Sequence, residues 1–163
     1  MPRKMLLVSI LLTVVAGGQI LAAWLLYNPL ANTLIINLGW SVLLLSAIFG
    51  WLPIITFRSR GNINGRSYTD TTVVVNSGIY GIVRHPQYLV GMLINIALPL
   101  ITQHWLVLIL GLLSLMVYYW NTFIEEEENL RKFGEPYRDY QSKVPRVNLL
   151  LGLFRLIHQK KLG

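Results

Sequence analysis

The sequence contains no cysteine among its 163 residues. Without cysteine the chain forms no disulfide and offers no thiolate to a metal ion or to nucleophilic catalysis. Acidic residues are also scarce, with seven Asp and Glu against fourteen Lys and Arg, and the net charge is +7. These deficits exclude a disulfide-stapled domain and a cysteine-dependent enzyme, and we assign no metal site.

Charge of either sign is missing from three long stretches, residues 5–27, 33–57 and 85–124. Only 13% of all residues are charged and 54% are hydrophobic, which is too apolar for an ordinary soluble domain. A helix of about 20 apolar residues crosses the roughly 30 Å hydrocarbon core of a bilayer. The sequence therefore predicts an all-α integral membrane protein.

The third uncharged stretch is long enough for two short helices of about 17 to 20 residues each. We place them at 86–101 and 105–124, joined by a tight turn at residues 102–104. Together with the two earlier stretches, this predicts four transmembrane helices, of which the third and fourth form a tight hairpin.

The basic residues fall in three places: residues 3–4, the loop 58–84 and the tail from Arg131 onward. The turns at 28–32 and 102–104 carry none, so four spans put every basic residue on one side. The positive-inside rule makes that side, with both termini, cytosolic. This distribution also explains the net charge without nucleic acid. A cleaved signal peptide is the alternative for the first apolar run, although that run is longer than a signal core.

We expect one membrane domain over residues 1–163. Within the loop, the β-branched run 71–75 favours an extended segment, and residues 76–78 favour a turn. The domain is divided into two N-terminal transmembrane helices (1–57), a cytosolic loop (58–85), the helical hairpin (86–124) and a cytosolic tail (125–163).

The tail sequence predicts two further helices after the hairpin. Gly134 can end the fourth helix, and Pro136 can begin another. In the segment "NLLLGLFRLIHQKK", Arg155, Gln159 and Lys160 fall largely on one face of a helix. This pattern is typical of a helix that lies at an anionic membrane surface. The opposite face collects Leu149, Leu150, Leu153, Phe154, Leu156 and Ile157.

The stretch "GIYGIVRHPQYLVG" at 78–91 places Arg84 and His85 directly before Pro86. Proline suits the first position of a helix, so the free amides of Gln87 and Tyr88 would point toward these cationic side chains. A helix start of this kind can hold an anion such as a carboxylate or phosphate. A snorkelling arginine that anchors the helix is an equally good interpretation of these residues alone.

Four glutamates follow the hairpin at 125–128. A run of like charges is usually a solvated helix end. Glu125 follows Ile124 directly and should lie deepest, where a carboxylate could hold an ammonium group or ribose hydroxyls.

These motifs carry a resemblance when they are taken together. "GIYGIVRHPQY" with Gly91 after it, an apolar hairpin, then "EE", "FGEPYRDY" and "VPR" resemble the isoprenylcysteine carboxyl methyltransferase family, with the phospholipid N-methyltransferases as more distant relatives. The resemblance covers about residues 70–146. Residues 1–57 match only as generic membrane helices.

The resemblance implies an integral-membrane methyltransferase that uses S-adenosylmethionine, with S-adenosylhomocysteine as product, and that has no Rossmann domain. The chain indeed has no GxGxxG motif. The loop and the helical tail would form the cofactor pocket. The implied cofactor-binding residues are Thr72, Val73, Val74, Val75, Tyr80, His85, Pro86, Gln87, Tyr88 and Glu125.

One position departs from the family pattern. Carboxyl methyltransferases of this family have an Arg four residues before the implied Glu125, and here that residue is Asn121. A neutral amide cannot make the bidentate charge-assisted contact that a carboxylate would use. We therefore expect a small lipophilic or isoprenoid-type acceptor, with a phospholipid amine as the alternative. It would enter from the bilayer near Asn121, Tyr118 and Tyr119, with Glu125 and Asn121 as the catalytic residues.

Two other classes of function remain open. A non-enzymatic membrane scaffold would leave the loop and tail loosely ordered and would bind no nucleotide-like ligand. A membrane reductase would use a nicotinamide dinucleotide, although the chain is short for the larger helical core of such enzymes.

Overall fold

The structure, a computed structural model, describes residues 3–60 and 71–162, the last four as backbone only. These residues form six α-helices and one short 3-10 helix, with no strand in the described ranges. The expected all-α class is confirmed. The elements are α1 (Arg3–Leu25), α2 (Thr33–Arg60), the 3-10 helix (Gly78–Gly81), α3 (Pro86–Thr102), α4 (Trp105–Phe133), α5 (Glu135–Lys143) and α6 (Leu149–Leu162).

Three helices, α1, α2 and α4, are long and apolar enough to cross a membrane. Helix α3 is also apolar, but its 17 residues fall short of the roughly 20 that a span usually needs. The chain is therefore a membrane protein with three clear candidate spans. The fourth span stays a prediction.

The ends of the hairpin and tail helices follow the turn residues. Gln103, with φ 49°, lies in the turn between α3 and α4, and its side-chain amide exchanges hydrogen bonds with the Asn32 backbone. Helix α4 continues beyond Ile124 and ends at Gly134, whose φ of 63° suits glycine. Pro136 then lies in the first turn of α5. The expected roles of Gly134 and Pro136 are confirmed.

The helices divide into two compact units. The first unit comprises the described residues of Met1–Ile48 and Tyr88–Glu125, and the second those of Phe49–Gln87 and Glu126–Gly163. In the first unit, the Gln19 side-chain amide donates to the carbonyls of Asn95 (3.0 Å) and Val107 (3.3 Å), which ties α1 to the hairpin. A fully buried glutamine that bonds two helices in this way stabilises their packing by roughly 0.6 kcal/mol per bond, the average inside membrane bundles.

The second unit packs the loop and tail around two small apolar clusters. One contains Val75, Ile79 and Tyr80, and the other contains Tyr137, Tyr140 and Val144. Helix α6 rests on the chain before α3, because the Cα of Gly152 lies directly against the carbonyl group of Ile82.

The loop before the 3-10 helix was predicted to be extended over residues 71–75, and this stays a prediction, although Thr71 lies in an isolated β-bridge. Residues 72–77 form neither helix nor strand, and the chain bends at Thr72 and Val73. The expected turn is present, since Gly78 adopts φ 62° and packs against the side chain of Thr56. The preceding segment 61–70, with Arg66, lies outside the described residues.

Candidate functional site

In the second unit, the segment Arg84–His85 is held by the tail. A residue before proline is restricted to extended conformations, so His85 cannot join the helix that Pro86 begins. The backbone amides of Arg84 and His85 instead donate to the carbonyls of Pro145 and Arg146, both at 3.0 Å. This pair of bonds fixes the start of α3 to the segment of the tail between α5 and α6.

The carboxylate of Glu126 collects three side chains around it. Its Oε1 accepts from Arg84 Nε (2.9 Å), from His85 Nε2 (3.1 Å) and from Arg146 Nε (3.1 Å). A further guanidinium nitrogen of Arg146 binds Oε2 at 2.5 Å, so that Arg146 forms a bidentate fork. Because the carboxylate only accepts, His85 carries its proton on Nε2. We call Arg84, His85, Glu126 and Arg146 the charge cluster.

The charge cluster is buried and has more positive than negative charge. The side chains of His85, Glu126 and Arg84 are 2%, 6% and 9% exposed, and that of Arg146 is 20% exposed. Arg84 also donates to the carbonyls of Gln141 (2.6 Å) and Val144 (2.5 Å) at the end of α5. Two guanidinium groups thus face one carboxylate. Removing one partner of such a buried ion pair strongly destabilises a protein, because the remaining charge stays buried without compensation.

Glu126 and Arg146 were not among the residues predicted from the sequence. Glu125 was expected to lie deepest of the four glutamates, but Glu126 is the buried one and Glu125 is half-buried. The sequence did offer a signal, because "EE" and "VPR" both belong to the quoted motifs. The helical phase that turns Glu126 inward could not be read from four identical residues.

Tyr80 lies in the core of the second unit. Its ring stacks on Phe57 with centroids 4.5 Å apart, and its carbonyl accepts a hydrogen bond from the Tyr140 hydroxyl at 2.7 Å. Burial, together with neighbouring Tyr137, raises the pKa of Tyr140 above its ordinary value, which keeps the hydroxyl protonated as a donor. Val75 is buried beside Tyr80, whereas Thr72 and Val73 are exposed and Val74 is half-buried.

In the first unit, a polar row joins the two helices of the hairpin. The Nδ2 of Asn121 donates to the Tyr88 hydroxyl at 3.1 Å, and a side-chain hydrogen bond joins Tyr88 to Glu125. Asn121 and Glu125 are four residues apart on α4 and so share a face. We call Tyr88, Asn121 and Glu125 the polar row.

Asn121 has an unused hydrogen-bonding atom. The residue is 6% exposed, and its Oδ1 is buried with no hydrogen-bond partner among the described residues. A buried carbonyl oxygen without a partner is rare, because leaving it unpaired costs free energy. It marks a place where a ligand's N–H or O–H group could bind.

Tyr118 borders the polar row, whereas Tyr119 does not. The Tyr118 ring meets that of Tyr88 edge to face at 6.1 Å and occupies the space where a side chain at Gly91 would lie. Tyr119 is exposed and packs against Phe123 at 5.3 Å. Sequence adjacency suggested a common site for both tyrosines, but successive helical residues point about 100° apart.

The predicted residues therefore fall into two groups. The first unit brings together Tyr88, Tyr118, Asn121 and Glu125. In the second unit, His85 joins Glu126, Val75 joins Tyr80, Pro86 is fully buried and Gln87 is half-buried.

Comparison with known protein families identifies this chain's family. The family model described as "Phospholipid methyltransferase" matches residues 34–135, which is more than half of the chain. No curated protein and no solved structure matches this chain.

Proposed function

From the premise that this chain belongs to the phospholipid methyltransferase family and is a membrane methyltransferase, we propose that it transfers methyl groups from S-adenosylmethionine to an acceptor in the bilayer. The motifs in residues 78–146 support this, since they resemble isoprenylcysteine carboxyl methyltransferases and their phospholipid-methylating relatives. The observation that carries the proposal is the polar row with its unpartnered Asn121 oxygen.

The proposed topology has four spans, because α3 crosses the membrane in addition to α1, α2 and α4. Both termini and the active site lie on the cytosolic side. Its support is the charge pattern, because every Lys and Arg lies outside the two opposite turns. A 17-residue helix crosses when the local bilayer thins or when flanking residues reach the interface.

The residues proposed to hold the cofactor are those that the resemblance assigns, from Thr72–Val75 and Tyr80 through His85–Tyr88 to Glu125. Within the first unit, two kinds of group fit it: the half-buried carboxylate of Glu125 for an ammonium or hydroxyls, and the Tyr88 and Tyr118 rings, which favour a cation. When bound, S-adenosylmethionine supplies a methyl group on a cationic sulfur. The chain's contribution is to orient the reactants and to exclude water.

For the acceptor we propose a small lipophilic or isoprenoid-type molecule that binds near Asn121 and Tyr118. The free Asn121 oxygen can accept from an N–H or O–H group but repels a carboxylate. A phospholipid amine is the second candidate. It fits the name of the family, and its N–H groups would satisfy the same oxygen.

Titration calorimetry of the detergent-solubilised protein with S-adenosylhomocysteine tests cofactor binding. We expect Glu125→Gln to weaken binding at least about tenfold, because a charge-assisted contact of roughly 1.5–3 kcal/mol is lost. The matched control is Glu127→Gln, whose exposed side chain pairs only with Arg131 among the described residues. His85→Ala should also weaken binding, and its folding must be checked because His85 contacts Glu126.

The cofactor proposal fails if wild-type protein does not bind S-adenosylhomocysteine or if Glu125→Gln binds it equally well. A thermal-shift comparison of S-adenosylmethionine with NADPH separates the other classes: a scaffold responds to neither, and a reductase responds to NADPH.

The acceptor is identified by labelling membranes with methyl-deuterated S-adenosylmethionine, with and without the protein. Mass spectrometry should find deuterated methyl groups on a lipophilic small molecule or on a phospholipid amine. Label on a carboxylate ester would contradict our interpretation of Asn121.

A further inference from the structure

Helix α6 exposes an apolar face, and Arg155 lies on the opposite, inner side. Leu150, Phe154 and Ile157 are 79%, 68% and 60% exposed, and they recur at helical spacing. On the other side, Gly152 is packed against the Ile82 carbonyl, and Arg155 is half-buried. A soluble protein would rarely leave such a face to water. Because this chain also has helices that can cross a membrane, a bilayer is available to cover the face.

A polar cavity of about 230 Å³ lies behind the apolar face, within the second unit. Lys143 of α5 and Arg155 of α6 line it, together with Asp139 and the backbone near Gly81 and Pro145. Asp139 pairs with Lys143 at 2.6 Å, whereas Arg155 makes no ion pair with a described residue. The cavity therefore has one positive charge in excess.

The size and lining of the cavity exclude the cofactor as its occupant. Sites for drug-sized molecules usually measure about 300–1,000 Å³, so this cavity is small for a whole nucleoside cofactor and can hold a lipid headgroup with its phosphate. None of the residues proposed to hold S-adenosylmethionine lines it.

We propose that this cavity binds the headgroup of an anionic phospholipid. The apolar face of α6 enters the hydrocarbon boundary, and the lipid phosphate reaches Arg155 and Lys143 from the headgroup layer. Membrane binding by helices of this type combines buried apolar area with attraction to anionic lipid. Through Gly152 and Ile82, the bound lipid holds α6 against the chain two residues before Arg84. The proposal does not depend on methyl transfer.

Native mass spectrometry of the full chain in detergent tests the proposal, with phosphatidylglycerol and phosphatidylcholine of identical acyl chains as probes. We expect tighter retention of phosphatidylglycerol. Arg155→Gln should weaken it about tenfold, since a charge-assisted contact is lost, and Lys143→Gln should weaken it less. The matched control is Arg138→Gln on α5, which pairs with Glu135 at the surface and does not line the cavity.

Equal retention of the two lipids, or unchanged retention in both Arg155→Gln and Lys143→Gln, would overturn the proposal. Inorganic phosphate is the third probe: if it displaces phosphatidylglycerol at equal concentration, the site is one for a free anion. A lipid-free dimer that Phe154→Gln dissociates would assign the apolar face to a second copy of the chain. S-adenosylhomocysteine binding, measured on the same samples, reports separately on the proposed function.

Discussion

Asn121 combines a neutral side chain, deep burial and an unused acceptor atom. Its amide group donates to Tyr88, and this contact fixes which end of the amide presents the free oxygen. The residue therefore determines the charge and the hydrogen-bonding character that an acceptor must have. That property belongs to one side chain and can be changed by one substitution.

We predict that Asn121→Arg changes acceptor preference toward carboxylates. A guanidinium at this position offers a bidentate contact, so methyl transfer to a prenylcysteine analogue should rise at least about tenfold above wild type. Transfer of labelled methyl groups measures this. Asn121→Leu is the control, because it removes the oxygen without adding charge. Efficient methylation of the analogue by wild-type protein would show that Asn121 does not select against carboxylates.

Glu126 is the second decisive residue, and we predict that Glu126→Gln destabilises the fold. The substitution leaves Arg84 and Arg146 without their shared counter-ion, which should lower the free energy of unfolding by about 3–5 kcal/mol. The thermal midpoint in detergent should fall by roughly 10 °C. The control, Glu127→Gln, removes one exposed ion pair and should change stability by less than about 1 kcal/mol. Equal midpoints for the two variants would mean that the charge cluster does not stabilise the fold.

At the scale of elements, the glycines of α1 and α2 have different surroundings. A Cβ at Gly39 would lie 2.7 Å from Ile101 Cγ1 and 2.9 Å from its backbone nitrogen, so this glycine lets α2 approach α3. Gly17 and Gly18 have nothing within 4 Å of such a Cβ. The same residue type thus supports helix packing in one helix and not in the other.

We predict opposite effects for one substitution at these two places. Gly39→Ala should destabilise the protein by about 1–3 kcal/mol, because the backbone of α3 must move. Gly18→Ala should be neutral or stabilise by up to roughly 1 kcal/mol, because alanine favours the helix. Thermal unfolding in detergent compares them directly. A larger loss from Gly18→Ala would indicate that α1 packs closely in a way that the structure does not contain.

Element boundaries could be predicted well from the sequence, whereas side-chain partners could not. Uncharged length, Pro86, Gly134 and Pro136 act locally, and the helices begin and end close to the predicted residues. The extended segment 71–75 was predicted from β-branched residues, and the structure gives it an isolated β-bridge at Thr71 and bends at Thr72 and Val73. The partners of Glu126 come from positions 20 to 42 residues away, and four consecutive glutamates give no phase to choose among them.

For the whole molecule, the absence of cysteine makes topology measurable. We predict that single cysteines at Ala31 and Gln103 react with an impermeant thiol reagent from one side of the membrane, and a cysteine at Ser142 from the other. Four spans place the two turns opposite the tail. If α3 does not cross while α1, α2 and α4 do, Ser142→Cys reacts on the same side as Ala31→Cys, and Gln103→Cys reacts on the opposite side. The unaltered chain, which has no thiol, is the blank.

The contacts of Arg84 and His85 also set the order in which the molecule can be completed during synthesis. Their backbone partners are Pro145 and Arg146, which come later in the chain than all the transmembrane helices. During synthesis the start of α3 is therefore made before its partners, at a time when the transmembrane helices have already been synthesised. A chain truncated before residue 145 keeps its apolar helices but leaves Arg84 and Glu126 without the tail groups that bind them. The charge cluster can therefore assemble only after synthesis has passed Arg146.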